Sequence, residues 1–320
     1  MDVRFLTPLG AVFALIALLP LAVLVLRERR ARRMRTALGL AQPALRSHLP
    51  LAFALAAVAG LIALAATQPV VETTRTVRER TDAEVFVVLD ISRSMLASTE
   101  PGAPTRFERA QAATEGLRQR LPQVPIGLLS MTDRILPHLF PTIDDTTFAS
   151  TLEKAIGIER PPPALFFSTR ATSLNSLEGI PTRDYFSPTA RKRLLVVFTD
   201  GESQLVDANL RGAYSKRPPI ETLLVHLWKA DERIYKTGVA EHGYRPDRAS
   251  ANVLANVASA VGGRVFIETQ LDAVEEAATA ALGSGPTRER VIEGERRALM
   301  PYGTLATLLP LSFLLFRRNF

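Results

Sequence analysis

Two uncharged stretches near the N-terminus restrict what this chain can fold into. Residues 6–26 form a run of 21 residues without a charged side chain, and residues 49–66 form a second run of 18. Because a helix rises about 1.5 Å per residue, each run has roughly the length needed to cross a bilayer core of about 30 Å. A signal peptide is the alternative for the first run, but an arginine block follows it where a cleavage site would stand. The sequence therefore predicts two N-terminal membrane helices.

A third apolar stretch, residues 299–316, lies near the C-terminus and is followed by two arginines at 317–318. This position favours a third membrane span over a buried helix. The arginine-rich segment Arg27–Arg35 lies between the first two runs, and the positive-inside rule places it in the cytoplasm. An odd number of spans then puts residues 70–295 outside the plasma (inner) membrane, and the lipid bilayer is one expected partner.

Charge and cysteine content narrow the possible functions. The formal net charge is +7, but residues 27–49 alone carry seven arginines and one glutamate, a net of +6. The rest of the chain is close to neutral, so it offers no basic surface for a phosphate backbone, and no nucleic-acid partner is expected. The chain has no cysteine, which excludes thiolate metal sites, thiol nucleophiles and disulfides.

The globular region is organised around the stretch Val85–Ser94. Its first half is a run of β-branched and aromatic residues that ends at Asp90, which predicts a buried strand of a parallel sheet. Side chains two residues apart in an extended segment point the same way, so Asp90, Ser92 and Ser94 converge at the rim of the sheet, outside its core. Three oxygens there suit a hard cation such as Mg²⁺. The alternative is that these residues only cap a helix and solvate a turn.

Two downstream segments favour the metal interpretation. Residues 194–199 form a second buried-strand pattern, and Asp200 follows it directly. Thr172 offers another hydroxyl at the start of a predicted short helix. Because ligands of open α/β sheets bind at the carboxyl ends of the strands, these side chains are expected to meet Asp90 at one edge.

These separated positions resemble a known family. Asp90-x-Ser92-x-Ser94, the later Thr172 and Thr199-Asp200-Gly201 are similar to the metal-ion-dependent adhesion site of von Willebrand factor type A domains, over about residues 82–282. The family pattern usually has glycine before the threonine, and this chain has Ala171. The resemblance implies a non-enzymatic domain that binds Mg²⁺ or Mn²⁺ and, through it, an acidic residue of another protein. The implied metal ligands are Asp90, Ser92, Ser94, Thr172 and Asp200.

Strand and helix patterns alternate through residues 85–282, which predicts an α/β fold with a doubly wound, mostly parallel, Rossmann-like sheet. Residues 125–130 and 134–139 read as a hairpin, so one edge strand should be antiparallel. Loops 95–105, 203–219 and 229–248 are expected to surround the metal site. The predicted regions are two N-terminal spans with an arginine-rich loop (1–69), a stalk (70–82), the type A domain (83–283), a linker (284–298) and a C-terminal span (299–320).

This layout of three spans and one type A domain resembles the aerotolerance-associated, Bat-type bacterial membrane proteins. For many relatives the resemblance implies a functional link to a MoxR-type AAA+ ATPase.

Two alternatives to metal-dependent protein binding remain. A strand that ends in aspartate also resembles the haloacid dehalogenase phosphatases, which would make the chain a metal-dependent phosphohydrolase. Those enzymes carry a second aspartate two residues later as general acid and base, and this chain has Ser92 there. The other alternative is a purely structural ion whose ligand shell is closed by the protein itself.

Overall fold

The computed structural model describes residues 2–39, 49–160, 172–203, 209–215 and 218–319. The chain forms two compact units. One comprises Met1–Thr76 with Val291–Phe320, and the other comprises Val77–Arg290. The three predicted membrane segments fall in the first unit, and the predicted type A domain falls in the second.

The secondary structure follows the predicted alternation. Within the described residues the α-helices are α1 (Leu18–Ala37), α2 (Leu49–Ala66), α3 (Arg106–Arg120), α4 (Asp145–Lys154), α5 (Gly179–Thr182), α6 (Asn209–Tyr214), α7 (Ser250–Val261), α8 (Leu271–Leu282) and α9 (Met300–Asn319). The strands there are β1 (Asp2–Phe5), β2 (Pro69–Arg80), β3 (Ala83–Asp90), β4 (Ile126–Met131), β5 (Ile135–Thr142), β6 (Lys192–Thr199), β7 (Ile220–His226), β8 (Tyr235–Lys236), β9 (Val239–Ala240), β10 (Arg264–Ile267) and β11 (Thr287–Ala298). Short 3-10 helices cover Pro8–Ala17, Arg93–Leu96, Leu174–Glu178 and Glu268–Gln270.

The second unit is built on a six-stranded sheet with the order β10-β7-β6-β3-β4-β5. Strand β3 pairs in parallel with β4 on one side and with β6 on the other. Strand β5 pairs antiparallel with β4 at one edge. The predicted mostly parallel sheet with one antiparallel edge strand is therefore confirmed, and the carboxyl ends of β3 and β6 lie side by side.

The central strand β3 is buried on both faces, as its apolar sequence predicts. Val85, Val87 and Leu89 pack on one face with side chains of α3, α4 and α8. Phe86 and Val88 pack on the other face with side chains of α6 and α7. This packing on both faces fixes the position of β3 within the sheet. The position of Asp90 follows from it, because Asp90 is the last residue of the strand.

Helix α3 begins with the capping box that the sequence predicts. Thr105 accepts a hydrogen bond from the backbone N–H of Glu108, and the Glu108 carboxylate accepts one from the backbone N–H of Thr105. The first orphan N–H groups of the helix are thereby satisfied. The next residue, Arg106, consequently starts the helix at a fixed position.

Among the described residues, two helices are long and apolar enough to cross a membrane: Pro8–Ala37, with 30 residues, and Leu49–Ala66, with 18. The first begins as a 3-10 helix and continues as α1 through the arginine block. The third predicted span is helical as α9 and packs against α2, but it is less apolar than these two helices. Two prolines, several polar residues and the terminal arginines reduce its apolar character. The prediction of three spans is therefore supported for two of them.

The predicted stalk and linker are more ordered than expected. The stalk is covered by the twelve-residue strand β2, and most of the linker is the twelve-residue strand β11. Within the second unit, Glu79 of β2 accepts hydrogen bonds from Arg288 at 2.9 Å and Arg290 at 3.0 Å. The two segments read as a stalk and a linker because their many charged residues leave no continuous apolar face to mark a long strand, although Val70, Glu79 and Arg80 of β2 are buried.

Segment 229–248 contains a small hairpin of β8 and β9. The segment is attached to loop 95–105 by two backbone hydrogen bonds between Ser98 and Arg233, each 2.9 Å long. The Tyr235 hydroxyl also donates to the carbonyl of Thr99 at 3.2 Å. Two of the three loops expected around the site, 95–105 and 229–248, therefore contact each other. The third, 203–219, lies partly outside the described residues.

Candidate metal centre

Asp90 ends β3 with its carboxylate completely buried. The Thr172 hydroxyl lies 3.1 Å from both carboxylate oxygens, and the Thr199 hydroxyl donates to Oδ2 at 2.7 Å. The backbone N–H of Ser92 donates to Oδ1 at 2.9 Å. Asp90 lies at the carboxyl edge of the sheet as predicted, but the prediction that its carboxylate stays outside the core is wrong, because the carboxylate has no exposed surface.

The two serines of the motif lie together beside this carboxylate. Ser92 Oγ and Ser94 Oγ are 3.0 Å apart, as the alternation of side chains in an extended segment predicts. Ser92 is buried, whereas Ser94 is partly exposed in the short 3-10 helix that follows. Of the five predicted ligands, Ser94 is the one through which the cluster reaches solvent.

Asp200 follows β6 and is also completely buried. Its Oδ1 accepts a hydrogen bond from the backbone N–H of Glu202, and its Oδ2 accepts one from Arg106 Nη1 at 2.9 Å. The turn requires Gly201, which has φ +71° and whose added Cβ would lie 2.9 Å from Leu254 Cγ and from the Ser250 carbonyl oxygen. Asp200 is therefore held by a tight turn on one side and by a guanidinium on the other.

Arg106 is the centre of a buried ionic network. Its Nη1 also lies 2.9 Å from Glu202 Oε1 and 2.9 Å from the Tyr244 hydroxyl, and its Nε donates to Glu232 Oε2 at 2.6 Å. The Tyr244 hydroxyl in turn donates to Glu202 Oε1 at 2.8 Å. Helix α3, the loop after β6 and segment 229–248 are thus tied together by one arginine.

The network shifts the protonation equilibria of its members. Burial, and then the negative charge of Asp200, raise the pKa of Asp90 to about 7. The same two causes raise the pKa of Glu202. Burial acts to lower the pKa of Arg106, but the charges of Asp200 and the surrounding acidic groups outweigh it and raise that pKa. The two carboxyl shifts therefore report burial first and the neighbouring Asp200 charge second, whereas the Arg106 shift reports the carboxylates around it.

The donor set fits a hard cation. No group of three or more His, Cys, Asp or Glu side chains is placed to hold a metal among the described residues, so hydroxyl ligands would be essential. Asp90 supplies a carboxylate, and Ser92, Ser94 and Thr172 supply hydroxyls, all of them oxygens. Within the part of the chain that the structure describes, no cationic side chain forms an ion pair with Asp90. A buried, uncompensated carboxylate among hydroxyls is the arrangement that Mg²⁺ or Mn²⁺ would satisfy.

The structure brings the five predicted site residues into one cluster. Asp90 contacts Thr172 and the backbone of Ser92, Ser92 contacts Ser94, and Asp200 joins them through Arg106, whose Nη1 lies 3.5 Å from the Ser94 carbonyl oxygen. Their role as metal ligands stays a prediction. Ala171, which precedes Thr172, lies outside the described residues.

Sequence reasoning missed five members of the cluster. Thr199 stands in the quoted Thr-Asp-Gly motif, and its place as the last residue of a parallel strand was the signal that it would face Asp90. The others gave no local signal, because they meet only in the folded chain. They are Arg106, Glu202, Glu232 and Tyr244.

Comparison with known proteins supports the same fold. No protein-family model and no curated protein sequence matches the chain significantly. Among solved structures, BatB from Bacteroides thetaiotaomicron is 21% identical with a TM-score of 0.51, and the alignment covers 63% of this chain and 100% of that one. An aerotolerance-related membrane protein from Bacteroides fragilis is 21% identical with a TM-score of 0.50, with 62% and 98% covered. The SpRpn10 VWA domain is 14% identical with a TM-score of 0.39, with 58% and 87% covered.

The first two likenesses agree with the resemblance that the motifs indicate. They cover nearly the whole length of both solved chains, and this chain has the mostly parallel sheet with one antiparallel edge that the motifs led us to expect. The chain therefore has the α/β fold of these two Bat-type proteins, the fold that its resemblance to von Willebrand factor type A domains implies.

Proposed function

We propose that this chain is a membrane-anchored domain that binds Mg²⁺ or Mn²⁺ and uses the ion to capture another protein. Asp90, Ser92, Ser94 and Thr172 would hold the ion, and Asp200 would add negative charge beside it. The observation that carries this proposal is the Asp90 carboxylate, which is completely buried among hydroxyls and forms no ion pair with a described side chain. When bound, the ion would supply an electrophilic centre for a carboxylate of the partner.

The geometry favours an open site over a closed structural ion. Three of the four proposed ligands are buried, and the fourth, Ser94, is partly exposed. Mg²⁺ prefers six ligands and usually keeps several waters in protein sites. A water on the Ser94 side is the one that a partner's aspartate or glutamate would replace.

The geometry also disfavours phosphoryl transfer through Asp90. A nucleophilic carboxylate must approach the phosphorus atom directly, but Asp90 has no exposed surface and both of its oxygens already accept hydrogen bonds from threonine hydroxyls. Ser92 stands where the related phosphatases have a general acid. We therefore propose a binding protein and not a phosphohydrolase.

Membrane anchoring is supported by the two candidate spans in the first unit. Because seven arginines are concentrated in residues 27–49, we place that segment in the cytoplasm and the metal site on the extracytoplasmic side. Likeness to Bat-type proteins is the basis for proposing a functional link to a MoxR-type AAA+ ATPase. These assignments make the protein a multi-pass component of the plasma (inner) membrane.

The test uses the full chain in detergent with isothermal titration of Mg²⁺ and Mn²⁺. We expect one ion to bind per chain, and Asp90→Asn to abolish that binding. Asp272→Asn, which changes an exposed carboxylate in the first turn of α8, is the matched control and should bind normally. Undiminished binding by Asp90→Asn would refute the assignment of the site.

Protein capture is tested with the same three proteins. Each is immobilised and exposed to solubilised membrane proteins in Mg²⁺ or in EDTA. We expect a specific partner that is retained by the native chain and the control only in Mg²⁺, and that loses binding when one of its acidic residues is changed to alanine. Retention in EDTA and by Asp90→Asn would show that binding uses another surface.

A further inference from the structure

The metal site contains a permanent positive charge of its own. Arg106 is completely buried at the start of α3, and its guanidinium contacts three carboxylates. Nη1 lies 2.9 Å from Asp200 Oδ2 and 2.9 Å from Glu202 Oε1, and Nε lies 2.6 Å from Glu232 Oε2. An arginine remains protonated in proteins, so this charge does not depend on pH.

The two carboxylates that follow the central strands are therefore not equivalent. Among the described residues, the groups that donate hydrogen bonds to Asp90 are neutral, namely the hydroxyls of Thr172 and Thr199 and the backbone N–H of Ser92. Asp200 receives one from a guanidinium in an environment with no exposed surface on either partner. Removing one member of such a buried pair leaves an uncompensated charge, so the pair persists unless another cation replaces the arginine.

We propose that Arg106 sets the metal affinity of the site by holding Asp200, an inference that rests on the proposed function. Asp90 is then the one carboxylate of this chain that binds the ion directly. A dication that approached Asp200 would have to displace a guanidinium bonded to two further carboxylates, Glu202 and Glu232. Arg106 is thus a positioning residue that acts on the ion through Asp200.

This arrangement has a consequence for partner binding. A dication with a single direct carboxylate keeps a net positive charge, while hydroxyls and waters complete its shell. It therefore binds weakly on its own and attracts a carboxylate from outside. Because binding free energies are reciprocal, the partner that provides this carboxylate must tighten ion binding by the same factor. Arg106 accordingly makes the ion and the partner depend on each other.

The experiment that tests this proposal measures the dissociation constants of Mg²⁺ and Mn²⁺ for the full chain in detergent. The protein has a single tryptophan, and Trp228 stacks on His226, whose Nε2 lies 3.0 Å from the Asp200 carbonyl oxygen, so its fluorescence reports on the site. The test variant is Arg106→Gln with Glu232→Gln. It removes the guanidinium together with one of its carboxylates and leaves the net charge unchanged.

We expect this double variant to bind Mg²⁺ about tenfold more tightly or better, because Asp200 is freed to offer the ion a second carboxylate, and a factor of about ten is the smaller size of effect that outer partners have on metal affinity. In that background, Asp200→Asn should reverse the gain. The matched control is Arg264→Gln with Glu221→Gln, which removes an exposed ion pair of 3.1 Å between β10 and β7 and likewise leaves the net charge unchanged. That pair does not include Asp200, so the control should bind Mg²⁺ within about twofold of the native chain.

Three results would overturn the inference, and they have different meanings. If the native chain binds Mg²⁺, Asp90→Asn does not, and the Arg106 variant binds like the native chain, the metal site stands and the role of Arg106 is wrong. If no variant binds any ion, the proposed function itself fails, and this inference fails with it.

If the double variant does not fold, Arg106→Lys is the second test, because one ammonium cannot span Asp200 and Glu232. Unchanged affinity in Arg106→Lys would also refute the proposal.

Discussion

Replacing Asp90 with asparagine is expected to stabilise the protein when no divalent cation is present. Burial, and then the charge of Asp200, raise the pKa of this carboxyl from 3.8 to about 7 in the folded protein. A raised folded-state pKa means that the folded state binds the proton more tightly than the unfolded state does. Stability is therefore lost as the pH rises from 3.8 through 7, and the full penalty is present above pH 7.

The size of the effect follows from the shift. At 1.36 kcal/mol per pKa unit, the interval between 3.8 and 7 corresponds to about 4 kcal/mol of lost stability at pH 8. Asparagine keeps the oxygen that accepts from Ser92 but presents an amide group to Thr199, which sacrifices about 1 kcal/mol of hydrogen bonding. The net expectation is that Asp90→Asn is more stable than the native chain by about 3 kcal/mol at pH 8 in EDTA.

The assay is denaturant unfolding of the full chain in detergent, followed by the fluorescence of Trp228. At pH 5 the Asp90 carboxyl of the folded chain is largely protonated and the penalty is smaller, so the advantage of Asp90→Asn should shrink to less than about 1 kcal/mol. Mg²⁺ at about 100 times its dissociation constant should stabilise the native chain by about 2.7 kcal/mol and leave the variant unchanged. A variant that is less stable than the native chain at pH 8 in EDTA, with a difference independent of pH, would refute the reasoning.

Three further predictions concern the fold and its orientation. Thr105→Ala, which removes the cap that Glu108 completes, should destabilise the globular unit by about 1 kcal/mol in the same unfolding assay, while Thr105→Ser should not. Gly201→Ala should destabilise it by about 2 kcal/mol or more and weaken Mg²⁺ binding, because φ is +71° and the new Cβ would meet Leu254. A reporter enzyme that works only in the periplasm should be active when it is fused after Leu282. Activity of a reporter that works only in the cytoplasm, fused at the same position, would contradict the proposed topology.

The predictable part of the site is the part that depends on local sequence. The apolar run before Asp90 and the run before Asp200 each read as a buried strand, and parallel pairing of β3 with β6 then places the two carboxylates at one edge. The alternation of Ser92 and Ser94 likewise depends only on extended backbone. These inferences succeed because the relevant residues are neighbours in sequence or follow from strand order.

The unpredicted part depends on contacts between distant residues. Arg106 pairs with Asp200, 94 residues away, and with Glu232, 126 residues away, and no spacing rule connects them. The burial of Asp90 has the same origin, since loops from elsewhere in the chain close over the strand end. Strand β11 was missed for a different reason: an exposed, charged ribbon lacks the apolar alternation by which a strand is recognised.

The buried ionic network also explains why the segment 229–248 belongs to the site. Glu232 and Tyr244 lie in this segment, and both contact Arg106, which in turn holds Asp200. A change in the position of the segment would therefore alter how firmly Arg106 holds Asp200, and with it the affinity of the proposed ion. In the proposed function, metal binding and the surface offered to a partner would thus depend on one set of charges. A substitution in this segment that preserves the fold should consequently change Mg²⁺ affinity as well as partner choice.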